Sequence, residues 1–178
     1  MKRLCSTIAA LAIVAIAPTA KGAEAAAESV AAASSNVARQ VFGDWVVACV
    51  PQKSGHQSCI ILQTLASRKL KKPVSVFTIG KDRTGKLRGS VRVPVGVSLS
   101  EGVVVDIGAQ GPFTVSYSAC HPIGCFAPFD LTAPLVGDLK SAKQIAVVAH
   151  SVSQQVLRFD FSTRGFPAAY ERYVAQSK

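Results

Sequence analysis

Apolar and polar positions alternate over many short stretches of the chain, and Gly, Pro and charged residues separate these stretches. In residues 73–80, for example, Ser75, Phe77 and Ile79 fall on one face of a strand and the residues between them fall on the other. An alternation of period two predicts half-buried β-strands. The predicted strands are 41–50, 57–66, 73–80, 86–93, 95–99, 103–107, 112–119, 124–130, 144–150 and 154–161. Many short strands at intervals of about ten residues predict an all-β domain, a sandwich or a barrel.

Two segments depart from this alternation and carry apolar residues at helical spacing. The first is 133–143, in which Val136 and Leu139 can share one face. The second is 165–176, where Pro167 suits the first turn of a helix. The pattern therefore predicts one or two short helices in the all-β fold, one of them C-terminal.

The first 22 residues have the layout of a secretory signal peptide. Lys2 and Arg3 precede an apolar run centred on 11–16, and small residues follow it. The run is about ten residues long, whereas a membrane-spanning helix needs about 20. We therefore expect residues 1–22 to be cleaved on export, with an uncleaved membrane anchor as the alternative. No later stretch has the length and apolarity of a membrane span.

Residues 23–40 are rich in Ala and Ser and contain no aromatic residue. We predict a flexible linker there, with an N-terminal helix as the alternative because Ala favours helices. The folded domain is then predicted at 41–176, a length typical of a single domain.

Basic residues outnumber acidic ones by 20 to 10 over the whole chain, and nine of them lie between residues 68 and 92, where Asp82 is the single acid. This basic segment comprises Arg68, Lys69, Lys71, Lys72, Lys81, Arg83, Lys86, Arg88 and Arg92. Such a patch could hold the phosphates of lipid A, another anionic envelope glycan or a host glycosaminoglycan. The alternative is a solvated edge whose charges keep a strand from pairing with other chains.

The stretch GKDRTGK, residues 80–86, satisfies the body of a phosphate-binding P-loop. That motif requires Ser or Thr at the next position and then a helix. Leu87 stands at that position, and a strand pattern follows it. We therefore predict a hairpin turn with Thr84 and Gly85 at its tip.

Nothing in the sequence indicates a catalytic cluster. The histidines are His56, His121 and His150, no G-x-S-x-G motif occurs, and the acidic residues are scattered. A serine–histidine pair assembled in space stays open at this point. The expected function is nevertheless non-enzymatic binding, without a cofactor.

A zinc site could use Cys120, His121 and Cys125, with a fourth ligand from Cys49, Cys59 or His56. Structural zinc sites usually have paired ligands two to four residues apart in each half. Nine residues separate Cys49 from Cys59, which disfavours zinc.

Disulfides are the favoured interpretation, because an even number of cysteines in an exported chain is typical of a disulfide framework. Four cysteines remain after the predicted signal peptide, and they permit three connectivities. We favour the local pairs Cys49–Cys59 and Cys120–Cys125, since each closes the region of a β-turn.

Several aromatic residues are candidates for the core. Phe42 and Trp45 are predicted to anchor the first strand in the core, with surface recognition as the alternative. A bend or bulge is expected at 43–44 between them. Phe126 and Phe129 are also expected in the core, with contact to a partner as the alternative.

Six stretches of the chain stand in a distinctive order and spacing. They are FGDW (42–45) followed by Cys49, then Cys59 with Leu62 and Gln63, VPVGVSLSEGVVVDI (93–107), the cysteine turn at 120–125, LVGDLKSAKQIAV (135–147) and GFPAAYERY (165–173). Through them the chain resembles the invasion-associated locus B family, exported proteins of alphaproteobacteria. The resemblance runs over about residues 41–174.

This resemblance implies an immunoglobulin-like β-sandwich with two local disulfides, in the cell envelope, periplasmic or outer-membrane associated. Some family members are linked to entry into host red blood cells and others occur in free-living bacteria, so the resemblance does not imply invasion here. It implies no catalytic residue, and the expected partner is a protein or an anionic glycan of the envelope or a host surface rather than nucleic acid. The basic segment departs from the family pattern.

Overall fold

Eleven strands and two helices follow one another in a computed structural model that describes residues 37–52, 57–69 and 71–177. The strands are β1 (Ala38–Phe42), β2 (Trp45–Pro51), β3 (Gln57–Ala66), β4 (Pro73–Lys81), β5 (Leu87–Val93), β6 (Val103–Asp106), β7 (Phe113–Val115), β8 (Ala119–His121), β9 (Gly124–Asp130), β10 (Gln144–His150) and β11 (Val156–Ser162). Helix α1 spans Ala133–Ser141 and α2 spans Phe166–Gln176. The predicted signal peptide, most of the predicted linker at 23–40, and His56 lie outside the described residues.

The strands form two antiparallel sheets. The large sheet has the order β1-β2-β3-β4-β5-β9-β8, and the small sheet has the order β11-β10-β6-β7. The two sheets, the two helices and the two disulfides confirm the predicted all-β sandwich class. Neither helix is long or apolar enough to cross a bilayer, as judged over the described residues.

Alternation along β4 shows how the sequence selects its buried face. Ser75, Phe77 and Ile79 are fully buried, and the residues between them are half-exposed on the outer face, as predicted. Phe77 meets the rings of Trp45 and Phe161 edge-on, with centroids 5.9 and 5.7 Å apart. Edge-on aromatic pairs add to the burial of apolar surface, so this cluster forms the centre of the core.

Three predicted strands differ from the structure. The stretch 41–50 forms two strands joined by a tight turn at 43–44 rather than one bent strand. The stretch 112–119 is divided because the chain leaves the small sheet after β7 and enters the large sheet at β8. The stretch 95–99 is not a strand, because Pro94 lacks an N–H and Gly96 has a φ of +87°. Its strand pairing is limited to a single isolated bridge at Val97.

A polar junction joins the two sheets. Gln63 on β3 faces the core and is 3% exposed. Its Nε2 donates a hydrogen bond of 2.9 Å to the Ser162 carbonyl oxygen on β11, and the Ser162 N–H donates one of 2.8 Å to Gln63 Oε1. The indole N–H of Trp45 donates to the same carbonyl oxygen at 2.9 Å. Every polar group of the junction therefore has a partner, as buried groups require.

Two glycine turns touch beside this junction. Gly43 has a φ of +59° and Gly165 a φ of +86°. A Cβ on Gly165 would lie 2.1 Å from the Phe42 carbonyl oxygen, and one on Gly43 would lie 2.5 Å from the Arg164 carbonyl oxygen. Both the left-handed backbone and the close approach require glycine.

An ion pair closes the same contact from outside. The Arg164 guanidinium donates to both carboxylate oxygens of Asp44, at 2.6 and 3.1 Å. Hydrogen bonds from Arg164 and the Ser162 hydroxyl hold the pKa of Asp44 below its ordinary value. The stability that this carboxylate contributes to the folded state is therefore present above its ordinary pKa and is lost as the pH falls through the lowered value.

Helix α2 packs on the aromatic cluster. Phe166 is fully buried against Trp45, with ring centroids 5.0 Å apart, and Tyr173 is also buried. At the end of the helix, Gln176 Oε1 lies 3.3 Å from Cys49 Sγ. The predicted C-terminal helix therefore packs into the folded core.

We predict that Gly165→Ala lowers the free energy of unfolding by about 3–5 kcal/mol, because the new methyl group would separate two backbone turns that are in contact. The measurement is urea unfolding followed by the fluorescence of Trp45, the single tryptophan. Gly85→Ala is the matched control: its φ is +82°, and a Cβ there would meet nothing within 4 Å. It should cost about 1–2 kcal/mol, and equal losses in the two variants would contradict the proposed contact.

Candidate functional site

Both disulfides join directly opposed residues of neighbouring strands, which confirms the predicted local pairing. Cys49 on β2 faces Cys59 on β3, and both are buried. Cys120 on β8 faces Cys125 on β9; Cys125 is buried and Cys120 is exposed. The second bond therefore closes the surface turn 121–124, whereas the first lies at the core.

The hairpin of β4 and β5 divides the basic segment between two ends of the large sheet. Arg68, Lys69, Lys71 and Lys72 lie in the loop before β4, and Arg92 on β5 stands opposite Val76 near the same end. Lys81, Arg83, Lys86 and Arg88 lie around the turn after β4. A strand of this length places the two groups about 25 Å apart.

The far group is partly neutralised. Lys86 donates to Asp130 at 2.6 Å, and Arg88 pairs with the other oxygen of the same carboxylate. The hydrogen bond from Lys86, with the nearby positive charges, lowers the pKa of Asp130. Lys81 Nζ donates to the Ser177 carbonyl oxygen at 2.9 Å, so it holds the chain after α2.

The stretch 80–86 is a hairpin turn, as predicted, and not a phosphate loop. The Asp82 carboxylate accepts hydrogen bonds from the Thr84 N–H and hydroxyl and from the Lys86 N–H. Gly85 takes the left-handed conformation at the tip. Strand β5 follows directly, where a phosphate loop would require a helix.

Apart from Arg92, the near group lies in the loop between β3 and β4, and we define residues 67–69, 71 and 72 as the basic loop. Its ends are joined by backbone hydrogen bonds from Lys71 to Ser67 and from Ser67 to Lys72. Lys71 has a φ of +49°, in the left-handed region. The loop exposes four cations that form no ion pair with the part of the chain the structure describes: Arg68, Lys69, Lys71 and Lys72.

A shallow groove runs over the outer face of the large sheet, next to the basic loop. Val76, Arg92 and Phe126 stand side by side on β4, β5 and β9 because they are opposed in register. Ile123, 67% exposed in the disulfide-closed turn, forms one wall. The volume is about 340 Å³, within the range of about 300–1,000 Å³ typical of ligand pockets. We call these residues, with Thr78 and Ser90, the outer groove.

Arg92 links the groove to the cysteine turn. Its guanidinium donates to the Ile123 carbonyl oxygen at 3.1 Å, and its own carbonyl oxygen accepts from the Ser75 hydroxyl. Gly124 has a φ of +143°, and a Cβ there would lie 2.5 Å from the Val93 carbonyl oxygen. Ile123 is therefore held in place by the disulfide, by this close approach and by Arg92.

The two phenylalanines near Pro128 have different environments. Phe129 is buried against Phe77, as predicted. The prediction was wrong for Phe126, which is half-exposed and lines the outer groove. Three positions separate the two residues, so in a strand their side chains point to opposite faces. His121 contacts the ring of Phe126, with centroids 5.8 Å apart.

His150 lies with Glu101, away from the groove. Its Nδ1 is 2.8 Å from Glu101 Oε2, and hydrogen bonds from Ser98 and Gln154 contribute most to lowering the pKa of Glu101. Burial raises the pKa of the nearby Tyr117 to about 12. All four cysteines of the described ranges are in disulfides, and within those ranges no three His, Cys, Asp or Glu residues stand close enough to hold a metal ion. The outer groove and the basic loop therefore offer a partner apolar contact, hydrogen bonds and charge attraction.

The roles of several residues were not predicted from the sequence. Gln63 shares its face with Cys59 and Ile61, so a polar residue at a core position was the signal for a buried partner. Ile123 was a large apolar residue inside a turn. Asp130 gave no signal, because its contact with Lys86 depends on the register between β5 and β9.

Comparison with known proteins agrees with this fold. The family model described as Invasion associated locus B (IalB) protein matches residues 45–174. An Invasion protein B homolog of Brucella abortus (strain 2308) is 30% identical over 141 residues, which are 79% of this chain and 81% of the relative. Invasion protein B of Bartonella bacilliformis is 24% identical over 107 residues, 60% of this chain and 56% of that protein.

A solved structure is also similar. The crystal structure of invasion associated protein B from Bartonella henselae matches with a TM-score of 0.68 at 20% identity. The match covers 78% of this chain and 96% of that one. At this identity the likeness shows a shared fold.

We predict that replacing Cys120 and Cys125 by Ser lowers the free energy of unfolding by about 2 kcal/mol, because the closed loop is short. The matched pair Cys49→Ser with Cys59→Ser should cost about 3 kcal/mol or more, since its loop is longer and the bond contacts α2. Urea unfolding read by Trp45 fluorescence compares the two. A greater loss for the exposed bond would contradict its assignment to a surface turn.

Proposed function

The chain belongs to the invasion associated locus B family, and from that membership we propose that it is an exported, non-enzymatic cell-envelope protein that binds a partner through the outer groove. The partner is a protein of the envelope or of a host surface. The observation that carries this proposal is the outer groove itself, an apolar depression with Arg92 in its wall and the basic loop at its end.

Export is supported by three independent features. Residues 1–22 have the layout of a signal peptide. All four cysteines beyond that stretch are in disulfides, which persist in oxidising compartments. The relatives carry the name of invasion proteins, which fits a protein that leaves the cytoplasm. These features support the proposed location in the periplasm or at the outer membrane.

The composition of the outer groove favours binding over catalysis. Val76, Ile123 and Phe126 supply apolar surface, and an exposed apolar patch with a polar rim is typical of an interaction site. Arg92 keeps further N–H donors beside the one bonded to Ile123, because a guanidinium has five. Arg is enriched at the energetic centres of protein interfaces.

The outer groove can be tested with a photo-crosslinking amino acid placed at Ser90, in the groove, and at Lys143, an exposed control position before β10. After irradiation of intact cells, we expect a covalent adduct of defined mass from position 90 and none from position 143. The adduct should weaken when Arg92 is replaced by Ser in the same protein.

Identical adducts from both positions would contradict binding in the outer groove. An adduct at position 90 whose yield is unchanged by Arg92→Ser would contradict it as well. Fractionation of the same cells tests export. A chain that keeps its first 22 residues and stays in the cytoplasm would sink the proposed location.

A second candidate function rests on the basic loop. Its four exposed cations are unpaired within the described residues, unlike Lys86 and Arg88, which share Asp130. An array of this kind suits an anionic glycan or the phosphates of lipid A. The loop therefore gives the family fold a charge that the resemblance alone does not imply.

For this candidate, replacing Lys69, Lys71 and Lys72 by Ser should remove most of the salt-sensitive binding to heparin, used as a model anionic glycan. The control replaces Arg39, Arg83 and Lys143 by Ser, which removes the same charge from exposed positions elsewhere. Elution from immobilised heparin along a salt gradient measures the difference. Equal shifts in the two variants would mean that net charge, rather than the basic loop, governs binding.

A further inference from the structure

Three apolar side chains protrude from separate turns at one end of the sandwich. Val95, Ile123 and Val152 are 56%, 67% and 73% exposed. The Val152 N–H donates to the Gly96 carbonyl oxygen at 2.9 Å, so the turn after β10 lies directly beside Val95. Gly124 packs against the Val93 carbonyl oxygen, which places Ile123 beside the same chain segment. We call these three residues the apolar tips.

The basic loop lies at this same end. Strand β4 begins where β5 ends, because Val76 is opposed to Arg92 and the Ser75 hydroxyl donates to the Arg92 carbonyl oxygen. Four connecting segments at this end, 67–72, 93–97, 121–124 and 151–155, contain no Asp or Glu. Asp44, in the β1–β2 turn at the same end of the large sheet, is paired with Arg164. The acid at their border, Glu101, is paired with His150. Four cations therefore lie at the same end of the sandwich as the apolar tips, and these four segments add no negative charge there.

We propose that this end of the sandwich docks on the surface of an anionic lipid bilayer. The apolar tips enter the headgroup region, and Arg68, Lys69, Lys71 and Lys72 lie against the lipid phosphates. The inference rests on the proposed function, because export brings the chain to such a surface. Interfacial binding gains from buried apolar area and from attraction to anionic lipids together, and this end supplies both.

The apolar tips distinguish a bilayer from a soluble polyanion. A glycan polymer is attracted by the cations and gains nothing from exposed valine and isoleucine side chains. A headgroup region accepts protruding side chains from separate turns, since each one finds acyl chains below the phosphates. The turn that carries Ile123 is also held rigid, by the Cys120–Cys125 bond and by Arg92, so little order is lost on insertion.

The test is flotation with vesicles of phosphatidylcholine alone and of phosphatidylcholine mixed with phosphatidylglycerol, using protein purified from cells that express the full chain. Binding should require phosphatidylglycerol and fall with added salt. Lys69, Lys71 and Lys72 replaced together by Ser should weaken it on the order of a hundredfold, since each basic residue near such a surface contributes about fivefold.

The variant Ile123→Ser with Val152→Ser addresses the apolar tips and should weaken vesicle binding about tenfold while leaving binding to heparin unchanged. The control Val41→Ser with Val50→Ser removes exposed valines from β1 and β2, away from this end, and should bind vesicles like the unchanged protein. Trp45 fluorescence checks that every variant is folded.

Equal binding to the two kinds of vesicle, or no effect of the Ile123 and Val152 changes, would overturn bilayer docking. Binding to heparin with no binding to vesicles would overturn it in favour of a soluble glycan. These results are separable from a failure of the proposed function. If the chain is processed and exported and gives the Ser90 adduct but does not bind vesicles, only the bilayer docking is contradicted. If the chain stays in the cytoplasm but its purified form binds vesicles, only the export is contradicted.

Discussion

The side-chain amide of Gln63 is the interaction on which the arrangement of the two sheets depends. It is buried between them and satisfies both the N–H and the carbonyl oxygen of Ser162, while Trp45 donates to the same carbonyl. A buried backbone group left without a partner costs about 1–3 kcal/mol. An apolar residue at position 63 would leave the Ser162 N–H without this partner, and the Ser162 carbonyl oxygen would keep only the bond from Trp45. The bonds also select one register, because a shift of β3 by one residue would turn Gln63 toward solvent and Leu62 toward the core.

The register of β3 is transmitted to the outer groove through the ladder of the large sheet. With Gln63 inside, Thr64 lies outside, and its partners Val76, Arg92 and Phe126 follow on the outer face of β4, β5 and β9. The junction between the sheets therefore determines which side chains the protein presents on its opposite face. The contact of Gly43 with Gly165 supports the same junction from the side, which explains why FGDW and the GF at 165–166 stand together among the stretches that resemble the family.

Elements with strong local signals were predicted well from the sequence. Strands β3 and β10 begin and end where the alternation does, and each cysteine pair closes a turn as expected. The errors arose where the outcome depends on tertiary geometry. Alternation cannot show that the chain changes sheets between Val115 and Ala119, or that Asp130 meets Lys86 from another strand. Charge density along the sequence likewise could not show that Lys86 and Arg88 share Asp130, whereas the cations of the basic loop form no ion pair among the described residues. The error at Phe126, by contrast, was avoidable, because residues three apart in the predicted strand face opposite sides.

The buried contacts and the surface contacts have different roles: the buried ones stabilise the fold, and the surface ones position side chains for binding. The aromatic cluster, the Gln63 junction and the Cys49–Cys59 bond are buried at the core and hold the fold. The Cys120–Cys125 bond, the close approach at Gly124 and the bond from Arg92 to Ile123 lie at the surface and hold one turn. The Cys120–Cys125 disulfide closes an exposed turn of four residues. It is not needed to hold β9 in the large sheet, since backbone hydrogen bonds already pair β9 with β5. Its consequence is to keep Ile123 at a single position beside Arg92, so the turn carries a preorganised apolar side chain at the border of the basic loop, and preorganisation lowers the entropic cost of binding.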